Sequence, residues 1–141
     1  GNALGNNIFG TTGGDTLDGG AGRDMLWGGL GKDLLRGGTD READLFVFNA
    51  AAESVLGANR DTISGFVSGI DDIDLRAIDA NLGLGGNQAF GFGTQPLAYG
   101  VWTVASGPNL LLRADVNGDK LADMEILLQG LTSAAKGDFL L

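Results

Sequence analysis

Through the first third of the chain one large apolar residue recurs every nine positions: Ile8, Leu17, Leu26 and Leu35, with Phe46 following after eleven. Each sits at the centre of a three-residue stretch that follows a polar, glycine-filled segment. The clearest copies are Gly19 to Trp27, GGAGRDMLW, and Gly28 to Arg36, GGLGKDLLR. Both have the form G-G-x-G-x-D-x-U-x, where U is large and apolar. The last three residues predict a short strand, with U on one side and its neighbours on the other. The first six suit neither a helix nor an ordinary strand. Three glycines in four positions belong to backbone that needs positive φ or close approach. Such a loop turns its carbonyl oxygens one way, and the Asp adds a carboxylate. Nine residues therefore carry the chain half-way round, two units close a turn, and units i and i+2 stack.

Five units fall in register. The first, Gly1 to Phe9, is degenerate and has Asn6 in the sixth position. The second, Gly10 to Asp18, has Asp15; the third and fourth have Asp24 and Asp33. The fifth starts at Gly37 and fits with two extra residues in its loop, around Thr39-Asp40-Arg41-Glu42-Ala43, which puts Asp44 in the sixth position. Ile8, Leu17, Leu26, Leu35 and Phe46 then point into a flattened roll. Odd units turn Asn7, Phe9, Met25, Trp27, Leu45 and Val47 outward, a mostly apolar set, whereas even units turn out Thr16, Asp18, Leu34 and Arg36. An apolar patch of that size is unusual on a soluble monomer, so the later chain is expected to cover the odd face.

Beyond the repeats, 49–59 predicts a loop or short helix. Asp61 to Leu75, DTISGFVSGIDDIDL, predicts a strand, a turn at Ser68-Gly69 and a second strand. Arg76 to Leu82 predicts one helical turn, and Gly83 to Gly93 a glycine-rich connection. Tyr99 to Val104, Leu110 to Ala114 and Met124 to Gln129 predict strands, the last two forming a hairpin around DVNGDKLAD. Thr132 is placed to cap a helical turn before Asp138-Phe139-Leu140-Leu141. The expected fold class is all-β, with a parallel β-roll over 1–48 packed on a β-sandwich-like region over 49–141.

Composition narrows the chemistry. The 26 glycines would suit a flexible linker, but hydrophobic residues make up 43% of the chain, enough to bury a core. Net charge is −9 and Asp outnumbers Glu fifteen to three. Solubility does not require Asp at a fixed period. Nothing resembles a basic stripe, which excludes nucleic acid as the partner. With no Cys there is no disulfide framework, and with no His there is no HExxH zinc site. No nucleophile–base pair stands out, so the chain is not expected to be an enzyme. No apolar run is long enough to span a bilayer. There is no signal peptide and the chain opens in mid-repeat, as a C-terminal piece of a longer protein would. The loops offer oxygen alone, the preference of a hard cation such as Ca²⁺. Without the cation, stacked carboxylates and carbonyls would repel, so folding is expected to require it. Asp115, Asn117, Asp119 and Asp123 are spaced like the start of an EF-hand loop. Ile126 stands where its bidentate Glu belongs, so a polar turn on Asn117-Gly118 is the expectation.

Tandem nonapeptides of this form are the repeat of RTX proteins. Together with DTISGFVSGIDDIDL, the hairpin and the terminal DFLL, they make nearly the whole chain resemble the C-terminal domain of serralysin-type secreted metalloproteases. The resemblance implies a non-catalytic, calcium-filled β-roll joined to an N-terminal catalytic or binding domain. It also implies export to the extracellular space through a type I (ABC) secretion system, with Asp138 to Leu141 as the signal. It makes calcium ligands of Asp15, Asp24, Asp33 and Asp44, with Asn6 in the degenerate unit. Loop carbonyls at Gly10, Thr12, Gly19, Gly20, Ala21, Gly22, Gly28, Gly29, Leu30, Gly31 and Gly37 join them, and Asp61 and Asp71 close the last sites. Gly65 departs from the family, which often has Asp there. At least three stacked sites are expected, with Asp24 giving one oxygen to each of two and the last four residues dispensable for binding. A calcium-dependent carbohydrate- or surface-binding module, like those on alginate epimerases, is the alternative.

Overall fold

The computed structural model describes all 141 residues and contains twelve strands with no α-helix. In chain order they are β1 (Asn7–Phe9), β2 (Thr16–Gly20), β3 (Met25–Trp27), β4 (Leu34–Gly38), β5 (Leu45–Val47), β6 (Asp61–Ser64), β7 (Asp72–Asp74), β8 (Gly91–Gly93), β9 (Gly100–Ser106), β10 (Asn109–Ala114), β11 (Met124–Gln129) and β12 (Phe139–Leu140). Each glycine segment reverses the chain, so successive strands alternate between two sheets. One sheet is wholly parallel, in the order β1-β3-β5-β7-β12. The other runs β2-β4-β6-β11-β10-β9-β8; it is parallel as far as β11, then antiparallel through β10 to β9.

The inward residues form two facing rows. Ile8, Leu26, Phe46, Ile73 and Phe139 are register partners across the first sheet. Leu17, Leu35, Ile63, Leu128 and Leu110 are partners across the second. All but the half-buried Ile8 are buried in one apolar cluster. Each such side chain contributes about 1.5–3 kcal/mol of transfer free energy. Both sheets continue past residue 48, and the cluster draws on residues from either side of it.

Several local expectations change. No helical turn forms over 76–82. The Asp74 carboxylate takes the Arg76 backbone N–H and guanidinium, and Asp79 accepts from the N–H groups of Asn81 and Gln88. Such side-chain turns compete with helix formation. Near the end, the 3₁₀ turn is Lys136–Asp138, and Asp138 rather than Thr132 closes it by accepting from Ala135 N–H. The odd outer face is also less covered than expected. Phe9 is 58% exposed and meets Trp27 edge-on at 5.8 Å. Trp27 is half-buried, its indole N–H donating to Glu53 at 3.0 Å. Glu53 stands on the 3₁₀ turn Ala51–Glu53, which thereby meets this face.

Candidate metal centre

Stacking unit on unit aligns the sixth-position residues into two columns, one for each side of the roll. In the odd column, Asn6 N–H donates to Asp24 Oδ1 at 2.7 Å, Asp24 N–H to Asp44 Oδ1 at 2.9 Å, and Asp44 N–H to Asp71 Oδ1 at 3.0 Å. In the even column, Asp15 N–H donates to Asp33 Oδ1 and Asp33 N–H to Asp61 Oδ1, both at 2.7 Å. One oxygen of each carboxylate thus fastens the unit two places earlier. In three of them the other is left over. Oδ2 of Asp24, Asp33 and Asp61 is buried with no hydrogen-bond partner. Buried polar atoms are rarely left so, and three in one repeated position indicate a missing partner.

The glycines show where that partner fits. A Cβ on Gly19, Gly28 or Gly37 would run into Oδ2 of Asp24, Asp33 or Asp44 respectively. A Cβ on Gly1, Gly10 or Gly19 would also meet the carbonyl oxygen of Gly19, Gly28 or Gly37 two units on. The left-over carboxylate oxygens therefore face a space walled by glycine backbone. No three carboxylates converge on one point, so carbonyl oxygens must complete any cation shell. The chain's ion pairs join Arg60 and Arg113 to Glu125 and Arg76 to Asp74, and none reaches a column carboxylate. An uncompensated, oxygen-only, anionic cradle fits Ca²⁺.

The two oxygens of Asp24 are placed differently. Its Oδ1 accepts from Asn6 N–H, and its Oδ2 is buried with no hydrogen-bond partner. The sequence-predicted Asp15, Asp24, Asp33, Asp44, Asp61 and Asp71 all stand in the columns, and Asn6 begins the odd one. Asp115 does not join them. It is fully buried and accepts from the N–H groups of Asn117, Gly118 and Lys120, while Asp123 accepts from Val116 N–H and Asn117 Nδ2. That turn is satisfied by its own backbone.

Three contributors are not singled out by the repeat. Asp40, in the enlarged fifth loop, accepts from Gly22 N–H at 2.6 Å. Ser54 accepts from Asp61 N–H and donates to the Glu125 carbonyl, closing the even column. Asp138 accepts from Ser68 and Gly69. A signal for the last two columnar Asp residues was present: Asp61-Thr62-Ile63-Ser64 and Asp71-Asp72-Ile73-Asp74 repeat the strand half of the unit, D-x-U-x, without its glycine half.

Burial pushes four of the column carboxyls up. It carries Asp61 to about 7, with neighbouring Asp33 and Glu53 adding repulsion, and Asp44 to about 6, with Asp71, Asp24 and Asp40 adding theirs. Asp33 and Asp71 are raised for the same first reason. The folded, cation-free chain therefore binds protons more tightly than the unfolded chain. Stability from these groups is full below about pH 4 and is lost as pH rises through 6 to 7. In EDTA, far-UV circular dichroism should show more β-structure at pH 4.5 than at pH 7.5. A signal that grew with pH over that window would contradict this.

The model of the family described as peptidase M10 serralysin C terminal matches residues 5–141. The chain belongs to that family. The serralysin C-terminal domain is an RTX repeat domain of a non-catalytic kind. Such domains bind Ca²⁺ and form part of larger, type I-secreted bacterial proteins. Among solved structures, the chain is similar to the AlgE6R3 subunit of the Azotobacter vinelandii mannuronan C5-epimerase. Identity is 26% and the TM-score 0.61, over 97% of this chain and 78% of that one. The AlgE6R2 subunit of the same enzyme is 26% identical with a TM-score of 0.46, covering 99% of this chain and 89% of that one. No curated protein sequence matches the chain. No helix of this serralysin C-terminal domain is long and apolar enough to cross a membrane.

Proposed function

We propose that this chain is the calcium-driven folding and export module of a larger secreted bacterial protein. The observation that carries the reading is the set of three buried, partnerless Oδ2 atoms, on Asp24, Asp33 and Asp61, the first two of them facing glycine-walled spaces. Ca²⁺ supplies the positive charge that these carboxylates lack. Asp24, Asp33 and Asp44 hold it through Oδ2 with carbonyls of the stacked loops from Gly10 to Gly37; Asp61 and Asp71 close the columns. Where calcium is scarce, inside the cell, repulsion keeps the repeats open. Where it is abundant, outside, the units stack.

Export follows from the chain's end. Asp138 is 1% exposed and Phe139 5%, and Phe139–Leu140 is paired to β7. A signal so placed is legible to a type I transporter only before folding. The parent protein, with its preceding catalytic or binding domain, carries the activity. Removing 138–141 from that parent should trap it in cells bearing a matched transporter, as read by the ratio of external to cellular protein. Unchanged export would place the signal elsewhere. The carbohydrate-binding alternative is not favoured.

A further inference from the structure

Where the outer face of the five-stranded sheet meets the loops of the second and fourth units, the chain forms a cavity of about 480 Å³. Thr11 and Thr12 line it from one loop and Leu30 from the other, with Trp27 and Glu53 between them. A space of that size suits a small ligand or a long side chain. Glu53 is 6% exposed. Both of its hydrogen bonds fall on one oxygen: Oε2 accepts from Trp27 Nε1–H at 3.0 Å and from Asn49 N–H at 2.9 Å. Oε1 has no partner in the protein and, unlike Oδ2 of Asp24, Asp33 and Asp61, is not sealed from solvent. No Lys or Arg pairs with Glu53, and its charge adds to the repulsion on Asp61. A carboxylate so nearly buried is costly unless a counter-charge meets it.

The rest of the wall selects the kind of counter-charge. Thr11 Oγ1 donates to Asp15 Oδ2, and the Thr11 carbonyl accepts from Leu30 N–H, so neither is spare. Glu53 is the only carboxylate in the wall, too few oxygens for a Ca²⁺ that takes about six to eight. Trp27 and Leu30 instead supply apolar surface. An indole is the best side chain for holding an organic cation, and a donor-only head suits a lone acceptor oxygen. An ammonium or guanidinium on an apolar stem matches both halves of the wall. The apolar surface also runs on past the cavity: Leu30 is 46% exposed, and Phe9, 58% exposed, meets Trp27 at 5.8 Å. That is more than one stem covers, which fits a peptide rather than a free amine. The chain's net charge of −9 favours the approach of a basic segment.

We propose that this cavity is the docking site for a basic, apolar segment of a partner protein. A Lys or Arg side chain enters beside Trp27, its charged head pairs with Glu53 Oε1, and flanking apolar residues rest on Phe9 and Leu30. Glu53 belongs to neither carboxylate column, so this inference is separate from the calcium reading above.

The test uses the full chain in Ca²⁺ and a panel of acetylated, amidated tripeptides with Lys or Arg between two apolar residues. Calorimetric titration should find binders in the panel, and the same peptides with norleucine at the centre should bind about tenfold more weakly or worse. Glu53→Gln should cause a similar loss. Its amide oxygen can still accept from Trp27 and Asn49, so the turn stays in place and the calcium midpoint of folding should not move. Leu30→Lys, at an exposed position, brings a cation to the wall and should weaken the peptides as well. Butylammonium should bind more weakly than the best peptide, because it leaves Phe9 and Leu30 uncovered. The proposal is overturned if no peptide of the panel binds the wild-type chain, or if the norleucine peptides bind equally well. It is also overturned if Glu53→Gln, with its calcium midpoint unchanged, binds like wild type. Should that midpoint move, Leu30→Lys decides, and wild-type affinity in it overturns the proposal. Butylammonium binding as tightly as the peptides would overturn the peptide as occupant.

Discussion

Asp24→Ala raises the calcium concentration needed to fold the chain at least tenfold more than Asp15→Ala does; that is the expected result of a titration followed by circular dichroism. Both residues hold the sixth position of a repeat, and the difference lies in their place in the columns. Asp24 is 1% exposed, accepts from Asn6 N–H and keeps a buried Oδ2 free. Removing its carboxylate deletes a charge-assisted hydrogen bond of about 1.5–3 kcal/mol and a cation ligand together. Asp15 begins its column, is half-buried, and spends Oδ2 on Thr11 N–H and Oγ1. Its loss leaves the rest of the even column standing. Asp24→Asn refines the test: it keeps an acceptor for Asn6 N–H while removing the charge. A midpoint for Asp24→Asn close to wild type would show that the ladder, not the cation, sets stability.

Gly28→Ala is the second large effect, and it changes no charge. Gly28 does not adopt positive φ, so a methyl group strains no dihedral. The added Cβ would run into Asp33 Oδ2 and lie 2.9 Å from Asp33 Cγ, inside the space assigned to the cation. Overpacking of this kind costs about 1–3 kcal/mol before the loss of the ion is counted. Gly13→Ala is the control: it belongs to the repeat two units earlier, and a Cβ there meets nothing within 4 Å. It should stay within about 0.5 kcal/mol of wild type, as surface changes usually do. The measurement is the calcium midpoint of each variant. Equal midpoints for the two would mean that the glycine-walled space holds nothing.

The stacking of unit on unit was legible because a nine-residue period leaves one register: Leu26 can meet Ile8 and Phe46 only if two units make a turn. The inward row was legible for the same reason. What extends the columns was harder to see. Asp61 lies 28 residues beyond Asp33 and Asp71 lies 27 beyond Asp44, whereas the repeats advance by 18. The interruptions are the 49–59 segment and the 65–70 turn, and neither carries glycine loops. Period alone therefore stops at Asp44, and only the strand half D-x-U-x marks the continuation. The docking of β12 on β7 was hidden for another reason. Two apolar residues at a chain end are compatible with any partner, and only the Asp138 contacts with Ser68 and Gly69 choose one. The odd outer face misled because parity predicts which residues share a face, not how much chain returns to cover it.

The central claim is that Ca²⁺ and the carboxylate columns fold together. Far-UV circular dichroism of the purified chain at pH 7.5, titrated with Ca²⁺ from an EDTA-treated start, tests it most directly. The account predicts a largely disordered spectrum in EDTA and a cooperative gain of β-structure on adding Ca²⁺. It predicts no equivalent gain with Mg²⁺ at the same concentration, because Mg²⁺ demands a tighter octahedral shell than these carbonyl loops provide. A chain equally β-structured in EDTA and in Ca²⁺ would contradict it.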